Sequence, residues 1–596
     1  MSDVLDAIAL ATDAQRRATT PDHSAWVEAN AGTGKTKVLT DRVTRLLLGG
    51  VRPERILCLT FTKAAAAEMR NRLAHQLGRW ALADEATLDA GIARLIDKTP
   101  DPAQRIVARR LFARVLDAPG GINILTIHAF CQALLKRFPL EAGVAPGFDI
   151  LDEAEAQTIL RRVQDEQMED LAQSEASPAL AAALATVAAK VSIAEYAELM
   201  TRLLSERAWL QAHVVDEAGL AKLGRRLSRQ LNCERAPTLD EAALREAARA
   251  LIETGGKTDA PNGQKIASWL ADDRNDLSPA YRGVFFTSEG QVRKSLATKA
   301  AQKRLPGIVD ILQAEAERLE CARGQALVEL TLALLRLGLD VADRYTRAKR
   351  RRAVLDYDDL IVATRRLLET EESAAWVLFK LDGGIDHVLV DEAQDTNPDQ
   401  WEVIRRLTEE FFVGEGAVGR SRTIFAVGDT KQSIFGFQRA DPRKLKEMRE
   451  WFDERSRIAD RVFVPVDLNV SFRSTPAVLD AVDRVFGEIE AAKGVAEPGD
   501  VIHLPSRKNE PGRVELWPLV EAGEDKADTK DIEGTGSGAS QALPHERLAR
   551  LIAAHASHLI ATERRARDGE KLHAGHFMVL VRRRNEFVNA LVRALK

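Results

Sequence analysis

The chain has 596 residues, with 85 Lys and Arg against 89 Asp and Glu, a net charge of −4 and 45% hydrophobic content. That length calls for several folded domains, and the near-balance of charge excludes a globally cationic surface, so any nucleic-acid contact must be made in local grooves. Four scattered cysteines without a C-x-x-C spacing exclude a zinc ribbon or a disulfide framework and fit a reducing cytosol. With no basic n-region and no apolar run of membrane length, the chain is expected to be soluble, with no membrane partner.

In chain order, the first residue of interest is Gln15, whose side-chain amide has the geometry to meet the N6 and N7 of an adenine together. The next stretch, Ala25 to Thr36 (AWVEANAGTGKT), is an apolar run leading into a glycine loop and then a helix-like segment, Thr36 to Leu48. Ala29, Asn30, Ala31, Gly32, Thr33, Gly34, Lys35 and Thr36 fit a phosphate loop whose first glycine is replaced by Ala29. Backbone N–H groups would turn inward around phosphate oxygens at the positive end of the following helix. Lys35 would reach the β and γ phosphates of a nucleoside triphosphate, and the Thr36 hydroxyl would hold Mg²⁺.

Short apolar runs recur at 55–62, 122–128, 387–392, 423–429, 463–468 and 576–581, each closed by small or polar residues. Alternation with helix-like segments predicts an α/β fold, a parallel sheet covered on both faces, with ligands at the carboxyl ends of the strands. From Leu151 to Arg350 the pattern changes to long amphipathic Ala, Leu, Arg and Glu runs that predict a helical insertion, opened by a capping box at Asp152 to Glu155. Within it, Gly255-Gly256-Lys257-Thr258 imitates a phosphate loop, but it follows a helical run, and Pro261 and Asn262-Gly263 point to a solvent loop. The spacing of 326–339 reads as core packing, and the basic run 344–352 (RYTRAKRRR) as one exposed helix face. Residues 521–541 are rich in Gly, Ser and charge and are expected to form a mobile surface loop.

The run Val388-Leu389-Val390 ends in Asp391-Glu392, which places two carboxylates where a strand meets solvent. Asp391 is positioned for the metal and Glu392 for deprotonating an attacking water. A third polar strand end, Val427 to Arg439, holds Gln432, placed to sense a γ phosphate. Phe435 and Phe437 offer rings for base stacking, and Arg439 lies near the strand's phosphates.

In order, ANAGTGKT, LTFTKAAAAEMRNRL, TIHAFCQALLKRFP, LVDEAQDTNPDQ, VGDTKQSIFGFQRADP and LNVSFRSTPAVL resemble successive motifs of the superfamily 1 UvrD/Rep-type DNA helicases. TIHAFC, FGFQRADP and the helical insertion are similar to the AddA/RecB branch. The resemblance implies RecA-like P-loop NTPase domains: a first motor domain over 1–150 and 351–457, a helical insertion over 151–350, and a second, incomplete RecA-like domain over 458–596. It implies an ATP- and Mg²⁺-dependent motor moving 3′ to 5′ on single-stranded DNA, acting at duplex ends in double-strand break repair beside an AddB-type partner. Its place would be the bacterial cytoplasm, in association with the nucleoid.

By the family pattern Gln15 meets adenine, Glu392 is the base, Gln432 senses the γ phosphate and Arg473 reaches it from the second domain. Phe61, Thr62, Lys63, Thr126, His128 and Phe437 fall at DNA-contact positions. Ser471 stands where many relatives have Asn, and Phe437 where many have Trp. No later motif of the family follows, so a fragment or truncated product that binds ATP but unwinds poorly is expected. The alternatives are a nucleotide-gated DNA clamp and a small-molecule kinase.

Overall fold

The computed structural model describes residues 2–173, 177–214, 216–235, 237–271, 276, 278–369, 376–377, 380, 384–412, 421–436, 439–495, 501–520, 543–565 and 569–596. Phe437 and the expected loop 521–541 lie outside them. The strands are β1 (Ser24–Ala29), β2 (Ile56–Thr60), β3 (Asn123–Thr126), β4 (Asp149–Ile150), β5 (Val354–Leu355), β6 (His387–Val390), β7 (Thr423–Gly428), β8 (Phe463–Leu468), β9 (Val470–Ser471) and β10 (Leu504–Pro505). The chain divides into one unit of Met1–Leu134 with Thr364–Lys596 and a second of Leu135–Ala363.

The first unit is built on a six-stranded sheet in the order β3-β2-β6-β7-β1-β8, every pair parallel. β2, β6 and β7 are buried along their whole length, as apolar runs covered on both faces must be. Alternation along β1 separates the two layers. Ala25, Val27 and Ala29 pack with Val38, Leu39 and Val43 of helix α2 (Lys35–Leu48) and with Met69 and Leu73 of helix α3 (Lys63–Leu82). Trp26 points the other way and stacks on Trp401 at 5.8 Å, with Phe452 at 6.2 Å. Arg42 is fully buried and is held by main-chain oxygens, donating to the carbonyls of Ala18 (2.9 Å) and Thr20 (2.7 Å).

Two expectations change here. The boundary at residue 458 assigns Phe463–Leu468 to a second sheet. The structure instead pairs it with β1 along six positions, from Ser24↔Phe463 to Ala29↔Leu468. As an edge strand it covers what would be β1's open side, and its half-exposed pattern and Pro465 are those an edge tolerates. The run 576–581 is expected as a strand but forms none. His576 closes a short 3₁₀ turn, and Met578 and Leu580 are 83% and 85% exposed, with no described strand beside them to take their backbone groups.

Among its described residues the second unit is helical apart from the β4–β5 pair, which joins Asp149 and Ile150 to Val354 and Leu355, and a single bridge between Phe286 and Val292. Its first helix opens on the expected capping box of Asp152 and Glu155. A 44-residue helix, Ile308–Arg351, is the spine, and residues 326–339 lie within it. Leu337, Val341 and Tyr345 pack against Leu160, Val163 and Met200. The expected solvent loop after Thr258 is a helix, Asp259–Ala271. Pro261 sits in its first turn, where no intrahelical N–H is needed, and a Cβ on Gly263 would come 2.7 Å from the Ala248 carbonyl. Gly263 therefore permits a close helix crossing in place of the loop.

The basic run is also more than an exposed face. Lys349, 2% exposed, donates to Asp356 at 2.7 Å and pairs with Asp359, while Arg207 pairs with both carboxylates. Burial opposes ionisation of Asp356, but Arg207 and then Lys349 hold its carboxyl well below the usual range.

Candidate nucleotide site

Because all six strands run the same way, their carboxyl ends gather the expected site residues along one edge. β1 delivers Ala29 into the loop. The Asn30 N–H donates to the Leu468 carbonyl (3.1 Å), and its side chain to the Ile502 carbonyl (3.1 Å). Thr33 turns its hydroxyl back onto the Asn30 carbonyl (2.9 Å). Gly32 and Gly34 have φ of +77° and +92°, and Gly34 caps α2 with no side chain on the free N–H groups. An N-terminus of this kind, left open by glycine, suits a phosphate.

Lys35, at the first turn of α2, extends to the Asp-Glu strand end. Its Nζ lies 3.0 Å from Glu392 Oε2 and 3.4 Å from Gln432 Oε1. Gln432 is held in turn by Asp429, donating to Oδ2 at 2.7 Å. Gln15, from helix α1 (Ser2–Ala18), reaches the loop. Its Nε2 donates to the Thr33 carbonyl at 3.3 Å, and its Oε1 accepts from Lys37 at 3.2 Å. Arg473 is exposed, but its backbone lies against the loop. Phe472 donates to the Gly32 carbonyl (2.8 Å), and a Cβ on Gly32 would come 2.6 Å from Arg473 Cβ. Ser471 is fully buried there, and the same Cβ would come 2.8 Å from its Oγ, so a small residue fits this crossing.

The electrostatics favour a cation. Burial, and then the neighbouring Glu392, push the Asp391 carboxyl up to about 6, and the same causes in the same order push Asp395 to about 6. Asp395 Oδ1 is buried without a hydrogen-bond partner among the described residues. A divalent cation would relieve this crowding of carboxylates. The oxygen donors Thr36 and Asp391 suit Mg²⁺ completed by water and phosphate. Among the described residues no group of three or more His, Cys, Asp or Glu is placed to hold a metal ion.

The expected DNA-contact residues fall in two groups. Phe61, Thr62 and Lys63 follow β2, and Thr126 and His128 belong to the end of β3, its neighbour through the Thr60↔Thr126 register. Thr62 caps α3, accepting from the Ala65 N–H at 3.0 Å, and Thr126 accepts from the Ala129 N–H at 3.2 Å. Burial lowers the His128 pKa, favouring the neutral ring. The Phe61 and Phe435 rings pack at 4.4 Å with a 50° tilt, which joins the β2 and β7 ends. Arg439, expected near phosphates, pairs with Asp399 at 3.0 Å. Gln394 and Asp395 escape the sequence reading, although both stand in the same LVDEAQD stretch.

A glycine loop capping a helix after β1, opposed by paired carboxylates at the end of β6, two strands away in the same parallel sheet, defines a P-loop nucleotide-binding domain. Residues 10–453 match the UvrD/REP helicase N-terminal domain, and the chain belongs to that family. It is 28% identical over 531 residues to an ATP-dependent helicase/nuclease subunit of Latilactobacillus sakei subsp. sakei (strain 23K), covering 80% of this chain and 55% of that protein. Proteins of the same name from Bacillus pumilus (strain SAFR-032) and Moorella thermoacetica (strain ATCC 39073 / JCM 9320) are 26% and 27% identical. Those matches cover 78% and 89% of this chain and 38% and 39% of theirs. The chain thus spans about half or less of the length of these curated relatives. No single described helix is long and apolar enough to cross a membrane.

Proposed function

We propose that this chain carries the ATP-hydrolysing part of a DNA helicase or translocase of the AddA kind. It would move 3′ to 5′ on single-stranded DNA during double-strand break repair, in the bacterial cytoplasm at the nucleoid, together with an AddB-type partner. The observation that carries this reading is the convergence of Lys35, Glu392 and Gln432 within 3.4 Å at the open end of α2.

Chemically, Lys35 is drawn from Glu392 onto the β and γ phosphates. Glu392 takes a proton from water as the water oxygen bonds to the γ phosphorus, and the bond to the β-phosphate oxygen breaks with its electron pair leaving on ADP. Thr36 and Asp391 would hold Mg²⁺, which supplies neutralising charge. Gln432 senses the γ phosphate, and Arg473, exposed beside the loop, completes its charge neutralisation when the segment after β8 closes. Gln15 would leave Thr33 and Lys37 to meet adenine. Phe61, Thr62, Lys63, Thr126, His128, Phe437 and Arg439 supply the DNA track, with the Phe61–Phe435 contact as its described aromatic part.

The test is phosphate release from Mg-ATP with and without single-stranded DNA. A stimulation of about tenfold or more supports the motor reading. Nucleotide and DNA binding without stimulated release would instead define a nucleotide-gated clamp.

A further inference from the structure

Gln394 is 2% exposed and sits at the junction of the two strand ends that carry the site. Its Nε2 donates to Glu392 Oε2 at 2.8 Å and to Asp395 Oδ2 at 3.3 Å, and its Oε1 accepts the Asp429 N–H at 2.9 Å. Its main-chain carbonyl accepts the Ser433 hydroxyl at 3.3 Å. Both amide protons and one oxygen lone pair are thus used inside the protein, leaving little for a ligand. The approach is so close that a Cβ on Gly428 would lie 2.7 Å from Gln394 Oε1, so the glycine ending β7 makes room for this side chain.

The other end of the connection is strained. Glu392 has φ +48°, a left-handed conformation that a non-glycine residue keeps only when its surroundings hold it there. Its Oε2 receives both Lys35 and Gln394, and among the described residues none is recorded donating to Oε1, which leaves that oxygen for a water. Once a nucleotide draws Lys35 onto phosphate, Gln394 is the remaining donor.

Resting on the hydrolase reading above, we infer that Gln394 is a positioning residue. It fixes the Glu392 carboxylate with Oε1 toward the attacking water, and it ties that carboxylate to the β7 end bearing Asp429, Gln432 and Ser433. The proton transfer itself stays with Glu392.

The experiment compares wild type, Gln394→Met and Gln394→Glu in DNA-stimulated ATP turnover from pH 6 to pH 8, with a crystal structure of Gln394→Met. Gln394→Met keeps the volume and loses every side-chain hydrogen bond, so kcat falls about 10- to 100-fold while KM for ATP stays within about threefold. Gln394→Glu keeps the acceptor for Asp429 but donates only when protonated. Its kcat relative to wild type at the same pH therefore rises about fivefold or more as pH falls from 8 to 6. The new carboxyl also changes the charge beside Glu392, so a rising ratio counts for the inference only together with a displaced Glu392 carboxylate in the Gln394→Met structure. A flat ratio overturns the inference, as does a Gln394→Met enzyme with wild-type kcat. If the wild-type chain shows no turnover, the hydrolase reading fails and the structure decides the positioning on its own. A Glu392 carboxylate displaced by about 1 Å or more in Gln394→Met supports it. An unmoved carboxylate overturns it.

Discussion

On the proposed hydrolase reading, Lys35 takes two opposed positions in one chemical cycle, since the ammonium that pairs with Glu392 at 3.0 Å is the one a triphosphate would attract. Replacing the carboxylate separates binding from chemistry. Glu392→Gln is expected to lower kcat by about 100-fold or more while leaving nucleotide affinity within a few-fold, measured by phosphate release and by equilibrium binding. Asp391 gives a pH signature. Its folded-state value of about 6 lies above that of an unfolded Asp, so between about pH 4 and pH 6 the folded protein holds a proton the unfolded chain has released. This group's contribution to stability therefore falls as pH rises through that window. If Asp391 holds Mg²⁺ as proposed, it does so ionised, so Mg²⁺ affinity is expected to weaken progressively below about pH 6 and to plateau above it. Titrating Mg²⁺ at pH 5.5 and pH 7.5 checks this, and equal affinities would remove Asp391 from the metal site.

Elements differ in how openly the sequence declares them. The phosphate loop and the Asp391-Glu392 strand end are legible because each depends on a few adjacent residues: glycines that reach positive φ, and carboxylates that close a buried strand. Gln394 is less so, because an isolated glutamine shows nothing until Gly428 and Asp429 are brought against it from another strand. β8 is hard to assign for a similar reason, since its alternation suits an edge strand of either sheet and only its pairing with β1 identifies which. The run 576–581 carries a strand-like composition without a partner, and composition alone does not supply one. Gly32 joins the local and distant signals. Its φ of +77° and the crossing by Arg473 both exclude a side chain. Gly32→Ala is expected to cost about 1–3 kcal/mol of stability from backbone strain and to weaken ATP binding, checked by thermal unfolding and nucleotide titration.

At the scale of the whole molecule, the helical unit has its own core and its own buried charge cluster. Removing the Asp356 charge leaves Lys349 on Asp359, which it shares with Arg207, while Arg207 keeps Asp358 at 3.6 Å. Asp356→Asn is expected to destabilise that unit by about 3 kcal/mol, seen as an earlier helical transition in urea, while the nucleotide site in the other unit keeps its affinity. The parallel sheet has a different weakness. β1 has Phe425 as partner to Ala25 on one side and Phe463 as partner to Ser24 on the other. During synthesis at about 5–20 residues per second, the ATP-loop strand leaves the ribosome and waits on the order of 20–80 seconds for a neighbour. The nascent chain thus carries an unpaired apolar ribbon while the intervening helices emerge and can pack, so the sheet closes around that strand only late in synthesis.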